Sequence, residues 1–174
     1  MTDPNVGRAT FVGVEGREPT DEEMAQLIAA YVERVPHEVE TSPGYKVLPG
    51  VVETLTKLRD AGVLLGVTTG GLEQVAHAKL ARGDLNRFFT FGGYGSDSAD
   101  RAELTRRGIE RANAILKRTL SRAEVYVVGD TPLDVRAAHD AGATAVGVAS
   151  GANSVEELKD ADYVLASLEE PFPM

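Results

Sequence analysis

The chain contains 174 residues, of which 43% are hydrophobic, and this length and composition predict one ordinary globular domain with room for a small appendage. Its formal net charge of −9 argues against a general nucleic-acid-binding role. The chain has no cysteine, which excludes a disulfide framework, and no apolar stretch of membrane-spanning length, so we expect a cytoplasmic protein without a membrane partner.

The front part of the chain predicts one helix among irregular segments. Proline and glycine interrupt the first residues, where Thr10–Val12 has the composition of a short strand. Thr20 and Glu23 form a capping-box pattern, which predicts a helix over Asp21–Arg34. Pro36 should end that helix, and a polar connection should follow.

A second apolar segment predicts a buried strand with a candidate anion-binding turn. The segment Val63–Val67 follows a helix expected between Pro49 and Gly62, and it ends in the sequence TTGG, which contains Thr69 and Gly70. Glycines let backbone N–H groups approach an anion, and the next helix presents its positive end there. When TTGG is taken alone, a plain strand-to-helix turn is the preferred interpretation.

The middle of the chain predicts a helix, a strand and a longer helix. These are Leu72–Arg82, Phe89–Tyr94 and Ala102–Leu120. Arg101 stands just before the longer helix, where an arginine on the surface near a helix start is the plain interpretation.

The strongest pattern is a strand–helix–strand unit of parallel type. The apolar run Val125–Val128 is followed by Gly-Asp, a helix that stops at Gly142, and a second run, Thr144–Val148. Asp130 and Asp134, the latter at an expected helix N-cap, follow the carboxyl end of the first strand, where open α/β sheets bind ligands. Paired carboxylates suit Mg²⁺. The alternative is that Asp130 only turns the chain and Asp134 only caps the helix.

The string GDTPLDVRAAHDAGATAVGVASG resembles the fourth motif of the haloacid-dehalogenase-like (HAD) hydrolases, in their phosphoglycolate-phosphatase-like branch. The resemblance implies an α/β fold with three layers and a Rossmann-like, mostly parallel sheet. It implies that Asp130 and Asp134 bind Mg²⁺. It also implies that Thr69, with Gly70, binds the phosphoryl group, and that Arg101 replaces the lysine that usually stabilises the charge on that group.

The implied activity is Mg²⁺-dependent hydrolysis of a small phosphorylated metabolite. Residues 1–47 would be the remnant of a helical cap, and residues 48–174 the α/β core. Haloacid dehalogenation is less favoured, because that chemistry needs no metal. The family's nucleophile is the first aspartate of an Asp-x-Asp sequence that follows a first strand, and residues 1–45 contain no such sequence: Asp3 has neither a strand before it nor a second aspartate as its partner. We therefore expect a truncated relative; the alternative is a non-catalytic phosphate- or partner-binding protein.

Without that first strand, the resemblance implies a gap in the middle of the sheet. Unpaired backbone groups are costly when buried, at about 1–3 kcal/mol each. Three arrangements would fill the gap: direct pairing of Val63–Val67 with Val125–Val128, insertion of Thr10–Val14, or a strand from another copy. We favour the inserted segment, and we expect low stability and self-association through exposed sheet edges.

Overall fold

The computed structural model describes residues 2–173, which form helices alternating with short strands. The helices are α1 (Asp3–Glu15), α2 (Asp21–Thr41), α3 (Val51–Asp60), α4 (Glu73–Arg82), α5 (Arg101–Leu116) and α6 (Pro132–Asp140). The strands are β1 (Gly66–Thr68), β2 (Phe91–Gly93), β3 (Tyr126–Gly129), β4 (Thr144–Val148) and β5 (Tyr163–Leu165).

Every strand pair in this part of the chain is parallel, which confirms the α/β fold with a parallel sheet. The strands form two units, one in the order β1-β2 and the other in the order β3-β4-β5. The buried core of the second unit lies between its sheet and α6, where Val127, Val135, Ala138 and Leu158 cluster. No helix among the described residues is long and apolar enough to cross a membrane.

The two units are separated by a gap between β1 and β3, and two of the expectations for that gap are wrong. β1 pairs with β2 and β3 pairs with β4, so the two strands do not pair directly. The segment Thr10–Val14 lies within α1 and not in the sheet. The gap is instead a cavity of about 620 Å³ bordered by both strands.

The helical conformation of α1 corrects the strand predicted at Thr10–Val12. Pro4 lies in the first turn, where its missing N–H costs nothing, and Gly16, with φ of 69°, ends the helix in the left-handed conformation. A Cβ atom at Gly7 would lie 3.4 Å from Leu27 of α2, an ordinary van der Waals distance, so the two helices are in contact at this position. Tertiary packing therefore outweighs the low helix propensity of the glycines.

Helix α2 continues past Pro36, which corrects both its predicted end and the polar connection predicted after it. Val35 is buried against Leu72 and Val75. On the next turn, an Nη atom of Arg82 donates to the carbonyl of Val39. These contacts from α4 stabilise the final turns, although proline removes one helical hydrogen bond.

Three boundaries differ from the sequence prediction by a few residues. The strand expected at Val63–Val67 begins at Gly66, and the strand expected at Phe89–Tyr94 covers Phe91–Gly93. Helix α5 ends four residues earlier than predicted, because Lys117 adopts a φ of 52° and stops it.

Candidate active site

The turn after β1 is a compact loop held by contacts from three directions. The Thr69 hydroxyl oxygen accepts a hydrogen bond from the Gly71 N–H at 3.1 Å. The Thr69 N–H donates to the carbonyl of Gly93 at 3.0 Å, and the Gly95 N–H donates to the carbonyl of Gly71 at 2.8 Å. Any Cβ atom at Gly95 would collide with the carbonyl of Gly70, so the two strand-end loops approach more closely than another residue would permit.

Asp3, the first residue of α1, contacts this same loop. Its N–H donates to the carbonyl of Gly70 at 2.8 Å. Its carboxylate accepts from the Leu72 N–H at 3.0 Å, beside the first turn of α4. A carboxylate is stabilised there because the N-terminus of a helix carries a partial positive charge. The loop therefore already binds one anion, which belongs to the chain itself.

Tyr31 of α2 lies close to that carboxylate. Burial raises the pKa of Tyr31 above its ordinary value of 10.0, and the nearby charge of Asp3 adds to the shift. The sequence gives no local signal for the group formed by Asp3, Tyr31 and Leu72, because its members are far apart in the chain.

Gly71 is the second glycine of this loop, directly after Gly70. A Cβ atom there would lie 3.4 Å from the Thr69 hydroxyl oxygen and 3.5 Å from a carboxylate oxygen of Asp3, which is ordinary van der Waals contact. The loop could therefore hold a side chain at this position.

Arg101 and Asp134 form an ion pair at the carboxyl end of β3. Arg101 is the first residue of α5, which is capped by the Asp100 carboxylate accepting from the Glu103 N–H at 2.8 Å. Its guanidinium lies 3.1 Å from one carboxylate oxygen of Asp134, and the two side chains are 33% and 16% exposed. The basic residue and one of the carboxylates singled out in the sequence are thus brought together.

The local structure around Asp134 differs from the prediction in one respect. Thr131, and not Asp134, is the N-cap of α6, and Asp134 is the third helical residue in a reciprocal capping box. The Thr131 hydroxyl donates to the second carboxylate oxygen of Asp134 at 2.6 Å, and the Thr131 N–H donates to the same oxygen at 3.2 Å. Both oxygens of Asp134 therefore accept hydrogen bonds or pair with a cation.

Asp130 follows β3 directly and lies against the loop after β4. A Cβ atom at Gly151 would collide with the Asp130 carboxylate, and one at Gly129 would collide with the side chain of Asp134. Asn153 donates from its amide nitrogen to the carbonyl of Asp130 at 2.9 Å. Glycine is needed at positions 129 and 151 because the side chains of the two aspartates pack directly over the backbone there.

The candidate site thus consists of two groups on opposite sides of the gap. Thr69 and Gly70 follow β1, and Asp3 contacts the same loop. Asp130 and Asp134 follow β3, and Arg101 pairs with Asp134. Among residues 2–173, no three His, Cys, Asp or Glu side chains form a group that could hold a metal ion. The roles of these residues remain predictions.

This α/β architecture places polar residues after the ends of parallel strands, which is where open parallel sheets bind ligands. Residues 9–148 match the family model described as haloacid dehalogenase-like hydrolase, so the chain belongs to that family. It is 33% identical over 110 residues to the phosphoglycolate phosphatase of Agrobacterium fabrum. That alignment covers 62% of this chain and 45% of the relative, so the chain spans less than half of the curated protein it matches.

Solved structures resemble the fold over most of its length. A HAD phosphatase from Thermococcus onnurineus is 26% identical with a TM-score of 0.62, and the match covers 92% of this chain and 66% of that one. CbbY from Rhodobacter sphaeroides, solved in complex with phosphate, is 19% identical with a TM-score of 0.70, covering 88% and 68%. The second similarity supports the fold alone.

Proposed function

We propose that the chain carries the phosphate- and metal-binding part of a Mg²⁺-dependent phosphomonoester hydrolase that acts on a small phosphorylated metabolite. The observation that carries the proposal is the 3.1 Å ion pair between Arg101 and Asp134, in a chain of the HAD-like family. The pair puts the cation expected to neutralise a phosphoryl group beside a carboxylate expected to hold the metal. The similarity to a phosphoglycolate phosphatase supports the substrate class.

The turn after β1 is proposed to bind phosphoryl oxygens. Because the Thr69 oxygen accepts a hydrogen bond from the Gly71 N–H, its own O–H proton remains available to a phosphate oxygen. The backbone of Gly70 and the positive N-terminus of α4 would add to that interaction. Asp3 competes for the same N–H groups, so we expect a phosphate to displace its carboxylate from Leu72.

Asp130 and Asp134 are the residues that would hold Mg²⁺. The donor set fits, since Mg²⁺ is commonly bound by one or two carboxylates and completes its shell with water and phosphate oxygens. When bound, the ion would neutralise charge that develops on the transferred phosphoryl group. Thr131 would fix the orientation of Asp134 through the bond to its second carboxylate oxygen. Arg101 would then share Asp134 with the metal or turn toward the phosphate.

Hydrolysis through a covalent intermediate also requires a nucleophile. The carboxylate closest to the phosphate-binding turn is that of Asp3, which is engaged by the Leu72 N–H. We therefore expect the chain by itself to release no phosphate from an aryl phosphate in the presence of Mg²⁺. Metal-dependent turnover that Asp130→Asn abolishes would contradict this expectation and would mean that a nucleophile is present.

We propose that residues 1–47 act as part of a cap and residues 48–174 as the core. Helices α1 and α2 pack against each other, and α2 packs on α4, directly behind the phosphate-binding turn. Asp3 and Tyr31 would then face the substrate from the cap side, where differences between substrates are sensed.

Titration calorimetry with Mg²⁺ tests the metal site. We expect the wild type to bind Mg²⁺ with an affinity in the millimolar range, because two carboxylates form a sparse site, and Asp130→Asn to lose that heat. Asp160→Asn, which changes the charge equally at an exposed position, is the matched control and should behave as the wild type. Equal heats from the wild type and Asp130→Asn would rule this site out.

A second candidate function is phosphate binding without catalysis. It is favoured by the fact that Asp134 is already paired with Arg101 and Thr131, so its charge is balanced without a metal. The two candidates differ in how phosphate affinity responds to Mg²⁺. A hydrolase site should bind inorganic phosphate more tightly with Mg²⁺ present, whereas a binding site built on Thr69 and Arg101 should not respond. Thr69→Val should weaken phosphate binding in either case.

A further inference from the structure

His77 of α4 and Tyr94, directly after β2, form a polar contact outside the candidate site. The Tyr94 hydroxyl oxygen lies 3.2 Å from Nε2 of His77, and the two ring centroids are 5.9 Å apart. Tyr94 is only 3% exposed, and a buried tyrosine hydroxyl needs a hydrogen-bond partner. His77 therefore supplies that partner from a neighbouring helix.

Asn86 fixes the orientation and the tautomer of this imidazole. Its side-chain Nδ2 donates to the backbone carbonyl of His77 at 3.0 Å, and its Oδ1 lies 2.9 Å from Nδ1 of His77. An amide oxygen only accepts, so Nδ1 carries the proton, and in a neutral imidazole Nε2 is then an acceptor. Tyr94 consequently donates its O–H to His77.

The surroundings keep Tyr94 in its donating form. Burial raises the pKa of its phenol above the ordinary value of 10.0, and the charge of Glu73 adds to the shift. Arg111 acts in the opposite direction, and Asp97 raises the pKa further. Glu73 also lies 4.0 Å from Nε2 of His77, on the same helix. The phenol therefore stays protonated, and able to donate, around neutral pH.

The loop that begins at Tyr94 is also held from the side of α5. Asp97 accepts from the Tyr94 N–H at 2.9 Å, and Arg111 of α5 donates to both carboxylate oxygens of Asp97 at 2.7 Å. An Nη atom of Arg111 also donates to the carbonyl of Gly92 at 2.6 Å. The loop is thus fixed to α5 on one side and to α4, through His77, on the other.

Gly95, the residue after Tyr94, connects this loop to the turn after β1. Its N–H donates to the carbonyl of Gly71 at 2.8 Å. In a trans peptide, the C=O of one residue and the N–H of the next point in opposite directions. The bond from Gly95 therefore directs the Leu72 N–H away from the loop and toward the Asp3 carboxylate, which accepts from it at 3.0 Å. This N–H is the group that binds an anion in the structure.

These contacts close a ring around the turn. Helix α4 begins at Glu73, directly after Leu72, and His77 lies about one turn further along the helix. From His77 the ring passes through Tyr94 and Gly95, and it returns to the turn at the Gly71 carbonyl. The turn is therefore held at both of its ends, by the helix that follows it and by the loop beside it.

We propose that His77 and Tyr94 are positioning residues, which hold the turn after β1 in the geometry that binds a phosphoryl group. They act through Gly95 and the Gly71 carbonyl on the direction of the Leu72 N–H. A donor that is already oriented binds an anion without the cost of ordering the loop. This inference rests on the proposed phosphate-binding role of the turn, although the hydrogen bonds that carry it can be measured without phosphate.

Nuclear magnetic resonance of the full chain without phosphate tests the contact itself. At about pH 8.5, where imidazole is ordinarily neutral, we expect His77 to show the Nδ1-protonated tautomer in a long-range proton–nitrogen spectrum. Tyr94→Phe should shift the Nε2 resonance, because that nitrogen loses its donor. A wild-type His77 protonated at Nε2 would overturn the proposal, since Nε2 could not then accept from Tyr94.

Amide hydrogen exchange shows whether the contact holds the turn. His77→Leu and Tyr94→Phe should each speed exchange at Gly95 by about tenfold or more, while the amides of β4 exchange as in the wild type. His77→Gln keeps an acceptor for the Tyr94 hydroxyl and should restore slow exchange. His37→Leu makes the same change at an exposed position of α2 and is the matched control. Unchanged exchange at Gly95 in the first two variants would overturn the proposal.

Titration with inorganic phosphate tests the consequence for the site. His77→Leu and Tyr94→Phe should weaken binding by about three- to tenfold, as expected for the loss of one hydrogen bond, and His77→Gln should restore it. Faster exchange at Gly95 with an unchanged phosphate affinity would overturn the proposal. If the wild type binds no phosphate, the proposed function fails, and exchange at Gly95 alone decides whether His77 and Tyr94 position the turn.

Discussion

The two halves of the sheet are held in place by different kinds of contact. The three-stranded half has its own buried core, in which Ala138 and Leu158 are fully inaccessible and Val146 is 1% exposed. The two-stranded half depends on close backbone approach, because a Cβ atom at Gly93 would collide with the carbonyl of Leu104 in α5. Side-chain burial therefore stabilises one half, and glycine-mediated contact with a helix positions the other.

This difference has a consequence for the candidate site. Asp130 and Asp134 belong to the half with its own core, whereas Thr69 belongs to the half that depends on α5 and on its neighbouring loops. Since Arg101 begins α5 and contacts Asp134, this helix connects the two halves at the site. We expect the two aspartates proposed to hold Mg²⁺ to be held more rigidly than the turn proposed to bind phosphate.

The largest expected effect comes from removing core volume in the three-stranded half. Leu158→Ala should lower the free energy of unfolding by about 2–5 kcal/mol, because it leaves a cavity where a fully buried side chain packed on β4. Urea unfolding monitored by circular dichroism measures this loss. Leu133→Ala on α6, where the side chain is 55% exposed, should change the free energy by less than about 0.5 kcal/mol. Similar losses in the two variants would contradict the assigned core.

The next effect tests the two-stranded half. Gly93→Ala should lower the free energy of unfolding by about 1–3 kcal/mol or more, because the added methyl group collides with the backbone of α5. Gly13→Ala makes the same change in α1 with no neighbouring atom within 4 Å, and it should raise the free energy by about 0.5–1 kcal/mol. Denaturant titration of both variants measures the pair. A neutral Gly93→Ala would show that β2 and α5 are not in close contact.

The sequence predicted the well-packed half more accurately than the other. The strand at Thr144–Val148 has the predicted bounds, since a short apolar run of β-branched residues buried on both faces carries its own signal. The strand at β1 was placed too early, because Val63–Leu65 are apolar but border the open gap instead of pairing along their length. An apolar run predicts burial, whereas pairing also needs a partner strand.

Long-range contacts account for the remaining errors. The helix continues past Pro36 because Arg82, far along the chain, bonds to carbonyl groups near its end. The loop at Thr69 was recognisable from its residues, but its contact with Asp3 joins positions 69 residues apart. Local patterns and the family resemblance therefore singled out the candidate site residues, while the contacts of Asp3 and Tyr31 with that site could not be predicted from them.

The smallest expected effect is a difference in acid sensitivity between the halves, and it involves one aspartate in each. In the two-stranded half, hydrogen bonds from Arg111 lower the pKa of Asp97 below its ordinary value of 3.8, with both contacts at 2.7 Å. In the three-stranded half, the backbone N–H of Ala145 is the main cause of the lowered pKa of Asp162, and His139 and Arg122 add to it. The lowered pKa of Asp97 thus depends mainly on a half-exposed cation, Arg111. The lowered pKa of Asp162 depends mainly on a backbone N–H of the buried sheet.

The sign of the pH dependence follows from these lowered values. The unfolded chain binds protons at these carboxylates before the folded chain does, so their stabilisation is fully present above the ordinary pKa of 3.8 and is lost as the pH falls below it. Asp97→Asn and Asp162→Asn should each reduce the difference in free energy of unfolding between pH 6 and pH 3, which about spans this window.

In about 1 M salt, the contribution of Asp97 to the free energy of unfolding should shrink, because Arg111 is half-exposed and screened, whereas that of Asp162 should persist. Arg111→Lys keeps the charge but loses the bidentate geometry, so its pH dependence should lie between those of the wild type and Asp97→Asn. Equal salt sensitivity at the two aspartates would mean that both halves are held by the same kind of contact.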